Sequence, residues 1–240
     1  SYPDEPDRPA VLLYTSGTSS APKAAVLGHD NLASYVFNTV EFGAAGEEEA
    51  ALLAVPPFHI AGVSALLSST WAGRRLVPLA TFSAEAWLTT AEAEDVTHAF
   101  VVPTARIVAA ASSEPSTVPR TLRHIAYGGA RMPLPVLERA LELFPEVGFV
   151  NAYGLTETAS TVAVLGPDDH REAAGSADPA VRQRLTSVGR PVPGVEVTII
   201  DGEICVRGPQ VAGVYLGEGS RVDAEGWLHT GDLGHIDAEG

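Results

Sequence analysis

Hydrophobic positions in the middle of the 240-residue chain alternate between two spacings. Between residues 50 and 165, short apolar runs precede stretches with helical spacing; the runs are ALLAV, RLVPL, HAFVV, HIAY and GFVNAY. The segment after Thr156 completes the last predicted strand–helix pair. This alternation predicts an α/β fold in which helices flank a mostly parallel sheet.

The segments on either side of this region follow other patterns. Near the start, VLLY and AAVL predict two paired strands around a Ser/Thr-rich loop, and DNLASYVFNTVEF predicts a helix with Asp30 as its N-cap. After residue 166, a polar stretch predicts a mobile loop. The short runs VEVTII, EICVRG and GWLHTGDL then predict strands, with a hairpin at Asp201-Gly202.

These patterns divide the chain into three predicted parts. Residues 1–45 hold the hairpin and first helix, as the remnant of a first αβ lobe. Residues 46–165 form a second αβ lobe, and residues 166–240 form the loop and a small β-barrel-like unit.

Composition narrows the classes of function. The formal net charge of −15 disfavours nucleic acid and anionic membranes as partners. No apolar run reaches the roughly 18 residues that span a bilayer. Cys205 is the single cysteine, so no internal disulfide can form and a cytoplasmic location is expected.

Two segments present groups that suit a nucleotide. YTSGTSSAPK offers backbone N–H groups, hydroxyls and the Lys23 ammonium to one point, as a phosphate requires, although a plain hairpin turn is equally compatible. NAYGLTE follows an apolar strand and supplies Tyr153, Gly154, Thr156 and Glu157 at a strand end, where α/β sheets bind ligands. The alternative is a core tyrosine followed by an ordinary acid at a helix N-terminus.

Two further segments are similarly ambiguous. YGGARMP places paired glycines at a strand end, where they expose backbone or simply form a turn. LHTGDLG carries a carboxylate, Asp232, that could accept hydrogen bonds from two vicinal hydroxyls or could belong to an Asx turn.

Taken in order, these motifs resemble the adenylate-forming superfamily, which includes acyl-CoA synthetases, luciferases and adenylation domains of peptide synthetases. YTSGTSSAPK is similar to the family's phosphate loop T-S-G-T-T-G-x-P-K-G. NAYGLTE resembles its Y-G-x-T-E motif and GWLHTGDLG its T-G-D motif, while GEICVRGPQVAGVYL resembles the strands between them. The resemblance covers essentially the whole chain.

The resemblance implies ATP, Mg²⁺ and coenzyme A as ligands and assigns roles to individual residues. Thr156 would contact the α-phosphate, Glu157 with Thr18 would bind Mg²⁺, and Asp232 would bind the ribose. The β- and γ-phosphates would lie against Ser16, Gly17, Thr18, Ser19 and Lys23. The adenine would lie against Gly128, Gly129, Ala130, Asn151 and Tyr153. Thr15, Ala152 and Gly154 would also belong to the nucleotide site.

The segment PPFHIAG indicates the branch of the family. Peptide-synthetase domains usually carry Asp after the Phe, to pair with an α-amino group, whereas here His59 follows Phe58, as in acyl- and aryl-CoA synthetases. An unpaired α-ammonium there would be costly, so the substrate acid is expected to lack an α-amine. Without the family context, a packed core histidine is the better interpretation of His59. The other six histidines show no metal-ligand spacing.

The acyl tail is expected to be neutral, because the pocket-side positions are small and uncharged. Phe58 and His59 would lie at the acyl group, with Ala126, Gly128, Ala152 and Ser160 around the tail.

Two features depart from the family pattern. Ser20 and Ala24 replace usual glycines of the phosphate loop, and a Ser with positive φ costs on the order of 1 kcal/mol. In addition, the chain starts just before the phosphate loop and ends before the hinge, so the small C-terminal domain and its catalytic lysine are outside it. The sequence therefore indicates a fragment whose exposed edge would pair with the missing lobes or another chain.

The function expected from the resemblance is activation of a small-molecule carboxylic acid to acyl-AMP, with transfer to coenzyme A in the complete protein; His59, Thr156 and Glu157 would be catalytic. Two alternatives are transfer to the thiol of an acyl carrier protein and a non-catalytic nucleotide-binding module. Luciferase-type oxygenation is a remote third.

Overall fold

The computed structural model describes residues 8–15, 22–102, 104–113 and 118–240. The strands, in chain order, are β1 (Pro9–Thr15), β2 (Lys23–Gly28), β3 (Ala50–Leu53), β4 (Arg75–Pro78), β5 (His98–Val101), β6 (His124–Gly128), β7 (Gly148–Leu155), β8 (Ser160–Leu165), β9 (Arg190–Pro191), β10 (Glu196–Ile200), β11 (Glu203–Arg207), β12 (Val214–Tyr215), β13 (Gly219–Ser220) and β14 (Leu228–Leu233). The helices are α1 (His29–Thr39), α2 (Ile60–Ala72), α3 (Ala84–Ala93), α4 (Thr104–Ser113), α5 (Leu134–Leu143), α6 (Pro167–Gly175) and α7 (Pro179–Gln183).

The central feature is a seven-stranded sheet with the strand order β4-β3-β5-β6-β7-β8-β9. The first five strands in this order are parallel, and helices connect them in sequence. The α/β fold predicted from the alternating runs is therefore confirmed. Because β6 and β7 are adjacent and parallel, their carboxyl ends bring the segments YGGA and NAYG to the same sheet edge.

The largest core packs the helices against this sheet. Trp87 of α3, Leu137 of α5 and Phe149 of β7 are each at most 1% exposed and belong to one apolar cluster. Phe144, just after α5, meets Phe149 edge-on, with ring centroids 6.3 Å apart. This core fixes the strand ends at which the candidate site residues lie.

The segment after Thr156 does not form the predicted helix. It contains a short 3₁₀ turn, Thr156–Thr158, and then β8, which runs antiparallel to β7. The reversal depends on Ala159 and Ser160, whose φ angles are 52° and 112°. The β-branched composition of β8 also favours a strand.

The mobile loop predicted after residue 166 is also wrong, because the structure contains α6 and α7 there. Pro167 occupies the first turn of α6, where its missing N–H is tolerated. His170 is fully buried; its Nδ1 lies 2.7 Å from the Gly166 carbonyl oxygen, and its Nε2 lies 2.8 Å from the Tyr127 hydroxyl. This tertiary contact anchors a helix whose sequence is mostly polar.

The hairpin of β1 and β2 is confirmed, as is the helix after it. The predicted N-cap is wrong, because α1 begins at His29 and Gly28 is the cap residue. The Gly28 N–H donates to the side-chain oxygen of Asn31, at 2.9 Å. Asp30 instead lies in the first turn, where a carboxylate interacts favourably with the helix dipole.

Two smaller sheets complete the fold. One has the order β1-β2-β12-β13, and the other the order β10-β11-β14. The hairpin predicted at Asp201-Gly202 is confirmed, with φ angles of 51° and 83° at these residues. The predicted boundaries near residues 45 and 165 stay predictions, although β2–β12 pairing and β8–β9 pairing both connect strands across them.

None of the helices in the described part of the chain has both the length and the apolar character needed to cross a membrane.

Candidate functional site

A small apolar core brings three of the predicted segments together. Leu13 of β1 and Leu27 of β2 pack in one cluster with Ala159, which follows the 3₁₀ turn. Ile60 and Val63, from the first turn of α2, pack against the same cluster. The start of α2, the β1–β2 hairpin and the turn that carries Glu157 are therefore fixed relative to one another.

The 3₁₀ turn holds Glu157 through backbone and side-chain contacts. Its carbonyl oxygen accepts the N–H groups of Ala212 and Gly213, at 2.9 and 3.1 Å. Its carboxylate Oε1 accepts a hydrogen bond from the Tyr215 hydroxyl. Because Glu157 lies in a 3₁₀ turn of three residues, the alternative of an ordinary acid at a helix start does not apply. Among the described residues, the hydrogen bond from Tyr215 reaches only Oε1 of this carboxylate.

The side chain of Gln210 supports the 3₁₀ turn through buried hydrogen bonds. Its side chain is fully buried, and its Nε2 donates to the carbonyl oxygens of Thr158 and Thr161, at 3.0 and 2.8 Å. Gln210 Oε1 is buried and has no hydrogen-bond partner within the described residues. The backbone around Glu157 is thus fixed by a buried amide.

The glycine-containing edge of β6 lies directly beside β7. A Cβ on Gly128 would lie 2.2 Å from the Ala152 carbonyl oxygen, so glycine is required for this approach. Gly129 follows with φ of 72°, and both it and Ala130 are exposed. The segment thus presents bare backbone at the sheet edge, as expected for a planar ligand that lies against it.

Small residues share one face of these strands. Gly128 pairs with Ala152, and Ala126 lies two residues before Gly128 on the same face. Phe100 of β5 pairs with Ala126, which places an aromatic ring beside this face. The four residues form a surface of small side chains next to one ring, which suits an apolar group. Ser160 is 8% exposed and lies across from Leu155 in the β7–β8 pair.

A hydrogen bond joins the large sheet to the three-stranded sheet. The Tyr153 hydroxyl donates to Asp232 Oδ2 at 2.7 Å. Burial and this bond to a carboxylate raise the pKa of Tyr153, so the hydroxyl keeps its proton. Asn151 on β7 donates to the Ser187 carbonyl oxygen, at 3.0 Å. Tyr153 is half-buried between the two sheets, and Asp232 is exposed beside it.

Lys23, the first residue of β2, is paired with an acid. Its Nζ lies 2.8 Å from Glu218 Oε2, and this bond lowers the pKa of Glu218. Thr15 pairs with Lys23 across the hairpin, and its hydroxyl donates to the Lys23 carbonyl oxygen at 3.4 Å. Ala24, which replaces a family glycine, is buried in β2 with a strand conformation.

His59 and Phe58 lie at the start of α2. His59 is the N-cap residue of the helix and is exposed, so the alternative of a packed core histidine is wrong. The Phe58 side chain is 65% exposed, and the two rings lie 4.8 Å apart. Within the described part of the chain, neither ring makes a hydrogen bond or a ring contact to Glu157 or to the β6 edge.

The remainder of the predicted phosphate loop lies outside the described residues. This applies to the predicted ligands Ser16, Gly17, Thr18 and Ser19, and to the substitution at Ser20. Their roles stay predictions.

Several residues at the site were not singled out from sequence. Tyr215 and Glu218 lie in or beside β12, which pairs with β2, and this long-range pairing has no local signal. Both Tyr215 and Gln210 lie in the segment GEICVRGPQVAGVYL. The resemblance of this segment to strands of the family is the sequence signal that could have identified them. Phe100 is identified only by its register against Ala126.

Comparison with known proteins agrees with this geometry. The family model "AMP-binding enzyme" matches residues 1–216. The 2-succinylbenzoate–CoA ligase of Bacillus subtilis (strain 168) is 35% identical over 249 aligned residues, which cover 98% of this chain and 48% of that protein. The fatty acid–[acyl-carrier-protein] ligase ScoC of Streptomyces coeruleorubidus is 32% identical, covering 98% of this chain and 47% of that protein.

Solved structures show the same similarity. The O-succinylbenzoate coenzyme A synthetase of Bacillus subtilis, in complex with ATP and magnesium ion, superposes with a TM-score of 0.81 and 32% identity. The match covers 98% of this chain and 49% of that one, so the chain spans about half the length of the relatives it matches. With a family model that matches nine-tenths of its residues and relatives that agree over nearly its whole length, this chain belongs to the AMP-binding enzyme family.

Proposed function

We propose that this chain forms the nucleotide and acyl surfaces of a ligase that activates a carboxylic acid lacking an α-amino group. In the complete protein the acid would react with ATP to give acyl-AMP and pyrophosphate, and the acyl group would then pass to the thiol of coenzyme A. The observation that carries the proposal is the arrangement of Glu157, Tyr153 and Asp232 at the strand ends of a chain in this family.

The residues present fit ATP and Mg²⁺. Asp232 is exposed and keeps Oδ1 available for a ribose hydroxyl while Oδ2 accepts from Tyr153. The exposed backbone at Gly129 and Ala130 suits the flat face of adenine. Glu157, held by Tyr215, would bind the magnesium ion, and Thr156 beside it would contact the α-phosphate. The ion would screen the phosphate charge during the reaction.

Charge neutralisation is the main chemical demand of this reaction. A carboxylate and a phosphate are both anions, and each close pair of like charges costs about 4 kcal/mol at an effective dielectric constant near 20. In the described part of the chain, Lys23 faces the acid Glu218, so its ammonium must exchange this partner for a phosphate. Hydrogen-bond donors placed for the transition state lower the barrier further.

The acyl surface is proposed to be the face that carries Ala126, Gly128 and Ala152. Its side chains are small, the Phe100 ring lies against Gly128, and no charged side chain lies at these positions. His59, exposed at the start of α2, would meet the acyl carboxylate. An acid without an α-ammonium is consistent with this surface.

Transfer to a carrier-protein thiol is a second candidate, supported by the ScoC relative, whose name states that acceptor. A non-catalytic nucleotide-binding module stays an alternative function. The cytoplasmic location expected from the single cysteine also stays a prediction.

Calorimetric titration of the 240-residue chain with Mg·ATP tests the nucleotide surface. We expect binding that the Asp232→Ala variant weakens by about tenfold, the effect of one lost charge-assisted hydrogen bond of about 1.5 kcal/mol. Asp237→Ala is the matched control, because it removes an equal charge from an exposed position nearby and should bind as the unmodified chain does. Equal binding by both variants would exclude Asp232 as a ribose ligand.

Pyrophosphate release by the complete protein tests the reaction itself. Glu157→Gln should lower the acid-dependent rate by about 100-fold, since one electrostatic contact to the transition state is worth that much. A panel of acids with and without α-amino groups identifies the substrate class, and coenzyme A against a carrier protein identifies the acceptor. Unchanged rates in Glu157→Gln would remove this residue from the metal role.

A further inference from the structure

The three-stranded sheet carries a cluster of side chains outside the candidate nucleotide site. Glu203, Cys205 and His229 each offer one ligand atom, and these atoms lie within 4.8 Å of one another. We propose that these three side chains bind a divalent transition-metal ion of the zinc class.

Strand pairing explains why residues so far apart in sequence converge. Cys205 on β11 lies directly opposite His229 on β14, and opposite residues of an antiparallel pair project from the same face. Glu203 lies two residues before Cys205, so it shares that face. The separation of 24 positions between Cys205 and His229 hides this arrangement from linear motif spacing, which is why the sequence did not indicate it.

The two distances from His229 suit a tetrahedral ion. His229 Nδ1 lies 3.4 Å from Cys205 Sγ and 3.0 Å from Glu203 Oε2. Zinc bonds of about 2.3 Å to sulfur and about 2.0–2.2 Å to nitrogen and oxygen place neighbouring ligand atoms about 3.3–3.6 Å apart. Shifts of a few tenths of an ångström would therefore admit the ion between His229 and its two neighbours.

The donor set and its surroundings also match this class of ion. Thiolate, imidazole and carboxylate together favour zinc-like ions over calcium or magnesium. The other ring nitrogen of His229, Nε2, lies 3.7 Å from Asp223 Oδ2, and a carboxylate behind a histidine commonly orients it towards a metal. The His229 side chain is 42% exposed, which gives the ion access from solvent although Cys205 is buried.

The proposed ion would also restrain the bulged part of β14 that carries Asp232. Glu203 Oε1 accepts the Gly231 N–H at 2.6 Å, and the Thr230 hydroxyl donates to the Ile204 carbonyl oxygen at 2.8 Å. An ion held by Glu203 Oε2 and His229 would thus link β11 to β14 beside this bulge. The site itself needs no nucleotide, so its test is independent of the proposed function.

The simpler alternative is an ion pair between a protonated His229 and the carboxylates of Glu203 and Asp223. This alternative gives Cys205 no role. Participation of the sulfur therefore distinguishes a metal site from an ion pair.

Titration of the full 240-residue chain with Co²⁺, followed by absorption spectroscopy, tests the proposal. Because the chain contains one cysteine, a sulfur-to-cobalt charge-transfer band can come only from Cys205. We expect such a band, saturating at one equivalent and displaced by Zn²⁺. The Cys205→Ser variant should lose it, and His229→Asn and Glu203→Gln should weaken Co²⁺ binding at least tenfold. Asp223→Asn should weaken binding by about tenfold.

The matched control is His29→Asn, which removes an exposed histidine at the start of α1 and should leave the band and its midpoint unchanged. Circular dichroism without metal checks that each variant is folded. Absence of the band in folded protein, or the same midpoint in His229→Asn as in the unmodified chain, would overturn the proposal. Should the buried Cys205→Ser variant fail to fold, the two variants at the more exposed positions still decide the question.

Discussion

The seven-stranded sheet and the three-stranded sheet use their side chains in different ways. In the large sheet, Phe149 of β7 is 1% exposed and packs with Trp87 and other residues of the main core. In the small sheet, Leu233 of β14 is 83% exposed, and several of its neighbours are charged or polar. The small sheet buries Val206 and Leu228 in a separate, smaller core, and Leu233 and its charged or polar neighbours remain at the surface.

Histidines show the same contrast in their ionisation. Burial lowers the pKa of His98, His124 and His170, which belong to or pack against the large sheet. On the small sheet, the hydrogen bond to Glu203 raises the pKa of His229. One residue type is thus held neutral in the first region and favoured as a cation in the second.

The candidate site lies where the two regions meet. Tyr153 comes from the large sheet, and Asp232 comes from the bulged part of β14 in the small one. Under the proposed function, the large sheet would supply the adenine surface and β14 of the small sheet the ribose ligand, and the Tyr153–Asp232 hydrogen bond joins the two.

The largest expected effect follows from the difference in packing. Phe149→Ala should lower the free energy of unfolding by about 3–5 kcal/mol, the usual cost of removing a buried aromatic side chain. Leu233→Ala, the matched truncation on the small sheet, should change it by less than about 0.5 kcal/mol because the side chain is already in solvent. Urea unfolding followed by circular dichroism measures both. Comparable losses would show that the small sheet is as tightly packed as the large one.

Much of the large sheet follows from the sequence because its information is local. The alternating apolar runs predict each parallel strand. In the three-stranded sheet, Asp201-Gly202 likewise predicts the β10–β11 hairpin because the turn needs two residues with positive φ. The motifs also predict that Gly128 and Tyr153 reach one sheet edge, since parallel strands align their carboxyl ends.

The remaining features depend on contacts between distant residues. The reversal into β8 requires positive φ at Ala159 and Ser160, neither of which is a glycine, so no turn signal announces it. Gly154 permits the close return, since a Cβ there would lie 1.9 Å from the Ser160 carbonyl oxygen. The contacts of Tyr215 with Glu157 and of Glu218 with Lys23 arise from β2–β12 pairing, which sequence periodicity does not encode.

The second expected effect tests the contrast between the histidines. Burial lowers the pKa of His98 to about 4, and the nearby charges of Arg74 and Arg123 and the ring of His124 act in the same direction, while Glu49 opposes them. The unfolded chain, with a histidine pKa near 6.5, therefore binds more protons than the folded chain between about pH 6.5 and pH 4. Stability is fully present above this window and is lost as the pH falls through it.

The contribution of His98 is on the order of 2 kcal/mol once partial solvent screening is allowed for. Urea midpoints measured from pH 7.5 to pH 4.5 should fall for the unmodified chain and fall less for His98→Gln. His235→Gln, at an exposed position, is the control and should keep the full pH dependence. An unaltered pH dependence in His98→Gln would show that its protonation costs the fold nothing.

The smallest expected effect concerns the ion pair between Lys23 and Glu218. This pair would lower the affinity for Mg·ATP if Lys23 has to leave Glu218 to bind a phosphate. The pair is partly exposed, at 24% and 44% of the two side chains, so its removal should change stability by less than about 1 kcal/mol. If Lys23 must leave Glu218 to meet a phosphate, Glu218→Gln should tighten Mg·ATP binding by up to about fivefold, the equivalent of 1 kcal/mol. Glu196→Gln removes an equal charge from the exposed pair with Arg207, whose atoms lie 2.6 Å apart, and should leave affinity unchanged. Equal gains in both variants would assign the effect to the net charge of the chain, whereas a gain in Glu218→Gln alone would assign it to the release of Lys23.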